Sequence, residues 1–203
     1  MWKKFFLMLM ILLFLLDIKC TASDEIQRLF DTRITTLKEL QEEVLNGSIP
    51  VYFYIACEDT SLSNKLNSLL ASKLRKKDNI KIVSYRYKAW LWIRLLAIKV
   101  NRNQIVVSAA FGRDVDCVLE PYEERVKISN LYPQDLLIDD ALSLYVSNME
   151  SLGQLLSEVV NSFEVKAVEP VRRKRDSYYS DKAEIEKLLG EINSPKIKIE
   201  IID

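Results

Sequence analysis

Between Val51 and Gly112 the spacing of apolar residues changes character three times, and each change predicts a different element. Val51-Tyr-Phe-Tyr-Ile-Ala-Cys57 is an unbroken apolar run, the pattern of a strand covered on both faces of a parallel or mixed sheet. Asp59, Thr60 and Ser61 follow, residue types whose side chains accept the free N–H groups at a helix start. Leu62, Leu66, Leu69, Leu70 and Leu74 then recur at helical spacing, and Lys73, Arg75, Lys76 and Lys77 crowd the end, where positive charge suits the helix dipole. Asp78-Asn79 breaks the helix and Ile80-Lys-Ile-Val83 resumes as a strand, so the stretch predicts a βαβ crossover. Ala89–Val100 and Gln104–Phe111 predict a long hairpin around Asn101-Arg102-Asn103, with asparagine supplying a left-handed turn residue. Ile105, Val107, Ala109 and Phe111 share one face. Trp90, Trp92, Leu96, Ile98 and Val100 share another that also carries Arg94, which predicts an edge or end-of-sheet place for that arginine, its stem on apolar surface and its head in water.

The flanks are mainly helical in pattern. Ile26, Leu29, Phe30, Ile34, Leu37 and Leu40 define an amphipathic stretch after Ser23, closed by Asn46-Gly47; Thr36–Glu39 has capping-box spacing and admits two helices there. Asn46-Gly-Ser48 also matches a glycosylation sequon, which matters only in a eukaryotic secretory pathway. Past the hairpin, Val115–Leu119 and Val126–Ile128 read as short strands. Pro133 opens a long helical region through Leu136, Leu137, Ala141, Leu144, Tyr145, Leu152, Leu155, Leu156, Val159, Val160 and Phe163, divided near 148–151. Composition shifts at Lys166: a basic run ends in Arg172-Arg173-Lys174-Arg175, a helix is predicted from Asp181 to Leu189, and Lys196–Ile202 alternates like a half-exposed strand. The fold class is therefore α/β, with α+β as the alternative: a two-layer mixed sheet with a βαβ start, a long hairpin and helices packed on one face. The predicted organisation is residues 1–22 as a leader, 23–165 as one domain, 166–180 as a basic linker and 181–203 as a terminal helix and strand.

The leader reading rests on Lys3 and Lys4, twelve uninterrupted apolar residues from Phe5 to Leu16, and small residues ending at Ala22. Twelve residues are short for a bilayer span, so cleavage after Ala22 and export to the periplasm, cell envelope or exterior are expected. A lipid on Cys20 is the alternative. Membrane contact is expected only through the leader or that lipid. Without residues 1–22, the 29 basic and 29 acidic residues become 26 and 28, a net charge of −2. Such a balance offers no basic field for nucleic acid. Export leaves Cys57 and Cys117 as an even pair, open either to a disulfide or to two free thiols.

Histidine is absent, which removes the commonest general base and zinc ligand, and four isolated glycines build no phosphate loop. No cofactor or metal site is expected. Glu120, Glu123 and Glu124 surround a Pro-Tyr turn and read as a solvated loop; Asp135, Asp139 and Asp140 read as helix-start residues. An enzyme would need carboxylates, and Glu58-Asp59 at the end of the first strand is the best candidate, since open α/β sheets bind ligands there. Asp59 is equally well explained by capping, and the balance is against an enzyme. Trp90, Trp92, Tyr85 and Tyr87 are either core or an aromatic contact surface. Arg172–Arg175 resembles a furin-type convertase site, so a secreted precursor cut after Arg175 is a further reading, set against a plain solvated linker.

The succession Val51–Val83, a strand, a Leu-periodic helix and an Ile-x-Ile-Val strand, resembles exported envelope proteins of the curli-secretion and penicillin-binding-protein-activator lipoprotein type. The resemblance implies an envelope role and no particular site residues, because the Gly-rich turns and lipobox of those families are missing. The function expected is a non-catalytic exported binding or assembly factor whose partner is another extracytoplasmic protein. Glu58, Asp59 and Arg94 are the candidate surface residues.

Overall fold

The computed structural model describes residues 25–117, 119, 135–138 and 142–193. The leader with Cys20 and Ala22, the Glu120–Glu124 loop, the strand expected at 126–128, Asp139, Asp140 and the alternating segment 196–202 lie outside the described residues. Helix α1 (25–45) ends at Asn46-Gly47, where Gly47 takes a left-handed φ of +95°. Strand β1 (Ile49–Cys57) leads into helix α2 (Thr60–Leu74), capped by Asp59, whose side chain accepts from Leu62 N–H at 2.9 Å. Asn79, at φ +67°, turns the chain into β2 (Ile80–Ile82). A 3₁₀ turn (Arg86–Lys88) precedes β3 (Leu91–Lys99) and β4 (Gln104–Asp114). Then come β5 (Asp135–Leu137), β6 (Ser143–Asn148), helix α3 (Leu152–Phe163), a π-helical turn (Glu164–Val168) and helix α4 (Glu169–Asn193).

The six strands make one mixed sheet with helices on one side. β2, β1 and β3 run parallel, β4 runs antiparallel to β3, and β4 carries β5 at one end and β6 at the other. The βαβ start, the hairpin and the one-sided helices are those expected from the sequence. The hairpin turn works differently, however. Asn101 Oδ1 accepts from the N–H groups of Asn103 and Gln104 at 2.9 Å each, so its side chain closes the loop without a left-handed φ.

The covered face is continuous. Val51, Ile55, Leu91, Ile93, Leu95, Ala97, Ile105, Val107, Ala109 and Phe111 are buried under Leu62, Leu66 and Leu70 of α2 and Leu155, Leu156, Val159 and Phe163 of α3. Phe111 and Phe163 meet edge-on, ring centroids 5.3 Å apart. Helix α1 adds Leu37, Leu40 and Val44 to the same core.

Several expectations are corrected. The region after Pro133 is not helical at its start: Leu136 and Leu137 belong to β5, and Leu144 and Tyr145 to β6. Apolar runs this short fit either period, and β4 supplies a backbone edge that converts them to strand. The strand expected over Val115–Leu119 starts instead as a turn at Val115–Asp116, because β4 continues to Asp114 and the chain then reverses; position 118 lies outside the described residues. The basic run expected as a linker lies within α4, which also passes through Gly190 to Asn193. Its start is held by a cluster in which Lys77 and Arg172 both bond Glu164, while Arg172 also donates to Asp78 C=O at 2.7 Å. Hydrogen bonds from Lys77 and then Arg172 outweigh burial and lower the Glu164 pKa.

Candidate functional site

Alternation along β3 sends Leu91, Ile93, Leu95 and Ala97 to the helices and Trp92, Arg94, Leu96 and Ile98 to the opposite face. Except at the Trp92 end, no described element covers that second face. Cross-strand register builds it row by row: Tyr54, Arg94 and Ala110; Ala56, Leu96, Ser108 and Leu144; Ile98, Val106 and Val146. Leu144 and Val146 are each 70% exposed and Ile98 is 55% exposed, with Leu96 and Val100 alongside. Solvated sheet faces normally alternate to polar residues, and this one does not.

The patch passes into an aromatic and cationic end. Arg86 and Arg94 lie over the Trp92 ring at 5.8 and 5.2 Å from its centroid. With Tyr52 and Tyr54 they surround a shallow recess of about 240 Å³. Trp92 is itself buried: its indole N–H donates to Arg113 C=O at 3.3 Å and its ring lies across Gly112, where an added Cβ would stand 2.2 Å from it. Gly112 is therefore required by close approach. Trp90 is buried too, whereas Tyr85 and Tyr87 stack on each other at 5.5 Å and stay exposed.

Arg94 was expected at an edge and lies instead on β3, an interior strand between β1 and β4. A charge is tolerated there because the face is open to water. The apolar run Val51–Cys57 is likewise covered on one face only, leaving Tyr54 exposed. Of the candidate carboxylates Glu58 and Asp59, the second is engaged by its own helix and by a lysine. Asp59 caps α2 and pairs with Lys99 at 3.3 Å; the Leu62 N–H bond first and the Lys99 contact second lower its pKa. Neither residue lines this recess or the two larger cavities. One of those, about 440 Å³, lies between β6 and α3. The other, about 500 Å³, is walled by Trp90, Leu119, Leu136, Pro170, Arg113 and Lys174.

A disulfide between Cys57 and Cys117 is excluded by register. Cys57 pairs with Ala97, which pairs with Val107; Cys117 lies beyond Asp114, about 23 Å farther along β4 at the usual strand rise. Bridged Cα atoms sit within about 7 Å. Both thiols are free, Cys57 donating to Asp59 C=O at 3.5 Å and Cys117 buried, with burial first and Asp114 second raising its pKa to about 12.

The sequence reading missed Arg33. It donates to Asp114 at 2.6 Å and to Asp116 at 3.2 Å in the interior, tying α1 to the end of β4. The signal was present: 33, 37, 40 and 44 fall on one helical stripe, and the last three are core. Among the described residues no group of three or more His, Cys, Asp or Glu could hold a metal, and no helix is long and apolar enough to cross a membrane.

No family model matches the chain, and no curated protein matches it. Among solved structures, a dodecamer of a PelC point variant from Paraburkholderia phytofirmans is similar over 57% of this chain and 87% of that one, at 13% identity and a TM-score of 0.36. That likeness is too distant to bear on function.

Proposed function

We propose that the protein is an exported, non-catalytic binding or assembly factor whose contact surface is the uncovered face of the sheet. The observation that carries the reading is the exposed row of Leu96, Ile98, Leu144 and Val146, on a face whose opposite side is fully packed. A sheet buries apolar side chains against another layer, and the described residues supply only one such layer. The Trp92–Arg94 end adds residue types enriched at interface cores. The basic start, apolar run and small residues up to Ala22 support export.

The test is a photo-activatable residue at Val146, introduced in cells that make the protein, with Lys65 on the exposed side of α2 as control. A discrete cross-linked extracytoplasmic protein, a second copy included, is expected from position 146 and not from 65. Equal or absent cross-linking at the two positions would remove the reading.

A further inference from the structure

The molecule carries a second uncovered apolar surface. Helix α4 is held to the domain at its start, through Val168, Val171, Arg172 and Arg175, the last beside Gly47. Beyond Asp176 its side chains are mostly exposed, Leu188 and Leu189 at about half of their surface. Tyr178, Ile185 and Leu189 are spaced by seven and four residues and so share one stripe, with Leu188 beside it. A helix with such a stripe needs an apolar surface to lie on. The only broad uncovered one among the described residues is the open sheet face.

We infer that this protein self-associates by laying the distal half of α4 of one copy across the uncovered sheet face of a second. The inference rests on the contact-face reading above and names the occupant. Amphipathicity favours it: Asp176, Asp181, Lys182, Glu184, Glu186 and Lys187 flank the stripe, so the stripe is the side of this half of α4 suited to an apolar surface. Size favours it as well. Residues 176–189 span about 20 Å of helix, and the four strands from β1 to β6 span about 15–20 Å. A two-fold axis makes the contact twice over, doubling the area of a single helix-on-sheet contact toward the roughly 1,200–2,000 Å² that stable interfaces bury. Each sheet then has helices on both faces.

The test is sedimentation equilibrium of the full chain, with Ile98→Lys and Leu188→Lys as variants. The wild type is expected to dimerise below about 1 mM, and each variant to weaken dimerisation at least about tenfold. Both positions are exposed, so melting in the dilute limit should not change. Mixing the two variants is the decisive arm. A mixed pair has one intact face facing one intact stripe, so the mixture should dimerise more tightly than either variant alone. Sheet-on-sheet packing predicts no effect of Leu188→Lys and no recovery on mixing; either result, or a monomer at every concentration, overturns the inference. If Leu188→Lys is silent while Val146 still cross-links in cells, the helix is removed as occupant and the contact-face reading stands. If Val146 yields nothing, the reading itself fails.

Discussion

Two neighbouring leucines on β3, Leu95 and Leu96, are alike in chemistry and in strand, yet the first is fully buried and the second half exposed. The difference lies in what each face meets. On Leu95's side α2 and α3 bring a leucine and valine layer down onto the sheet, and Phe163 closes on Phe111. On Leu96's side the described residues offer the cross-strand partners Ala56 and Ser108 and no second layer. Hydrophobic composition therefore does not separate a core from a contact surface; the second layer does.

Substitution at the pair gives the largest contrast. Leu95→Ala should lose about 2–5 kcal/mol, and Leu96→Ala should stay within about 0.5 kcal/mol, by urea denaturation of dilute protein. Similar losses at both would mean that the second face is covered within the chain. Gly112→Ala sharpens the comparison, because it tests the one tightly packed place on the open face. Its Cβ would meet the Trp92 ring and Leu136 C=O, so a loss of about 1–3 kcal/mol is expected with blue-shifted tryptophan emission reduced. An unchanged midpoint would show that Trp92 swings freely.

Titration probes the same contrast through pH. Cys117, under the helices, keeps its proton to about pH 12 when folded and to about pH 9 when unfolded. Its contribution is complete below pH 9 and is lost as pH rises to about 12, so the melting temperature should fall across that window. Cys117→Ala should flatten that fall, and native alkylation mapped by mass spectrometry should reach Cys57 well before Cys117. The smallest effect is at acid pH. The lowered pKa of Glu164 gives stability that is present above pH 4.5 and is lost as pH falls through the folded value. Glu164→Gln should flatten the acid limb, and an unaltered limb would remove the Lys77–Glu164–Arg172 cluster as a clamp on α4.

Much of the fold was legible because local signals agreed with the final packing. Asp59 capping a Leu-periodic helix, and alternation through Ile105, Val107, Ala109 and Phe111, specify their elements without help from distant residues. The failures share a cause: each depended on a long-range partner. Leu144 and Tyr145 are strand because β4 offers an edge; Cys57 and Cys117 are remote because β1 is parallel to β3; Arg33 is buried because Asp114 and Asp116 await it. The candidate site was legible only in fragments. Arg94 was singled out for sharing a face with Leu96 and Ile98, but that the described residues put no covering layer on this face is a property of the assembled sheet. Arg172–Arg175 shows the same limit: a convertase reads an extended segment, whereas these residues are helical and two of them are engaged. Trypsin should therefore cut there slowly in the folded protein.

The π-helical turn at Glu164–Val168 has a consequence for chain length. Such a turn behaves as a single residue added to an α-helix, and each residue of an α-helix advances the azimuth by about 100°. Excising one residue between Val165 and Val168 would leave an unbroken helix of almost the same composition while swinging Tyr178, Ile185 and Leu189 about a quarter-turn around the axis. The direction in which α4 presents its stripe is thus set by a one-residue insertion well upstream of it, and lineages that gained or lost it would differ in what they meet while folding alike.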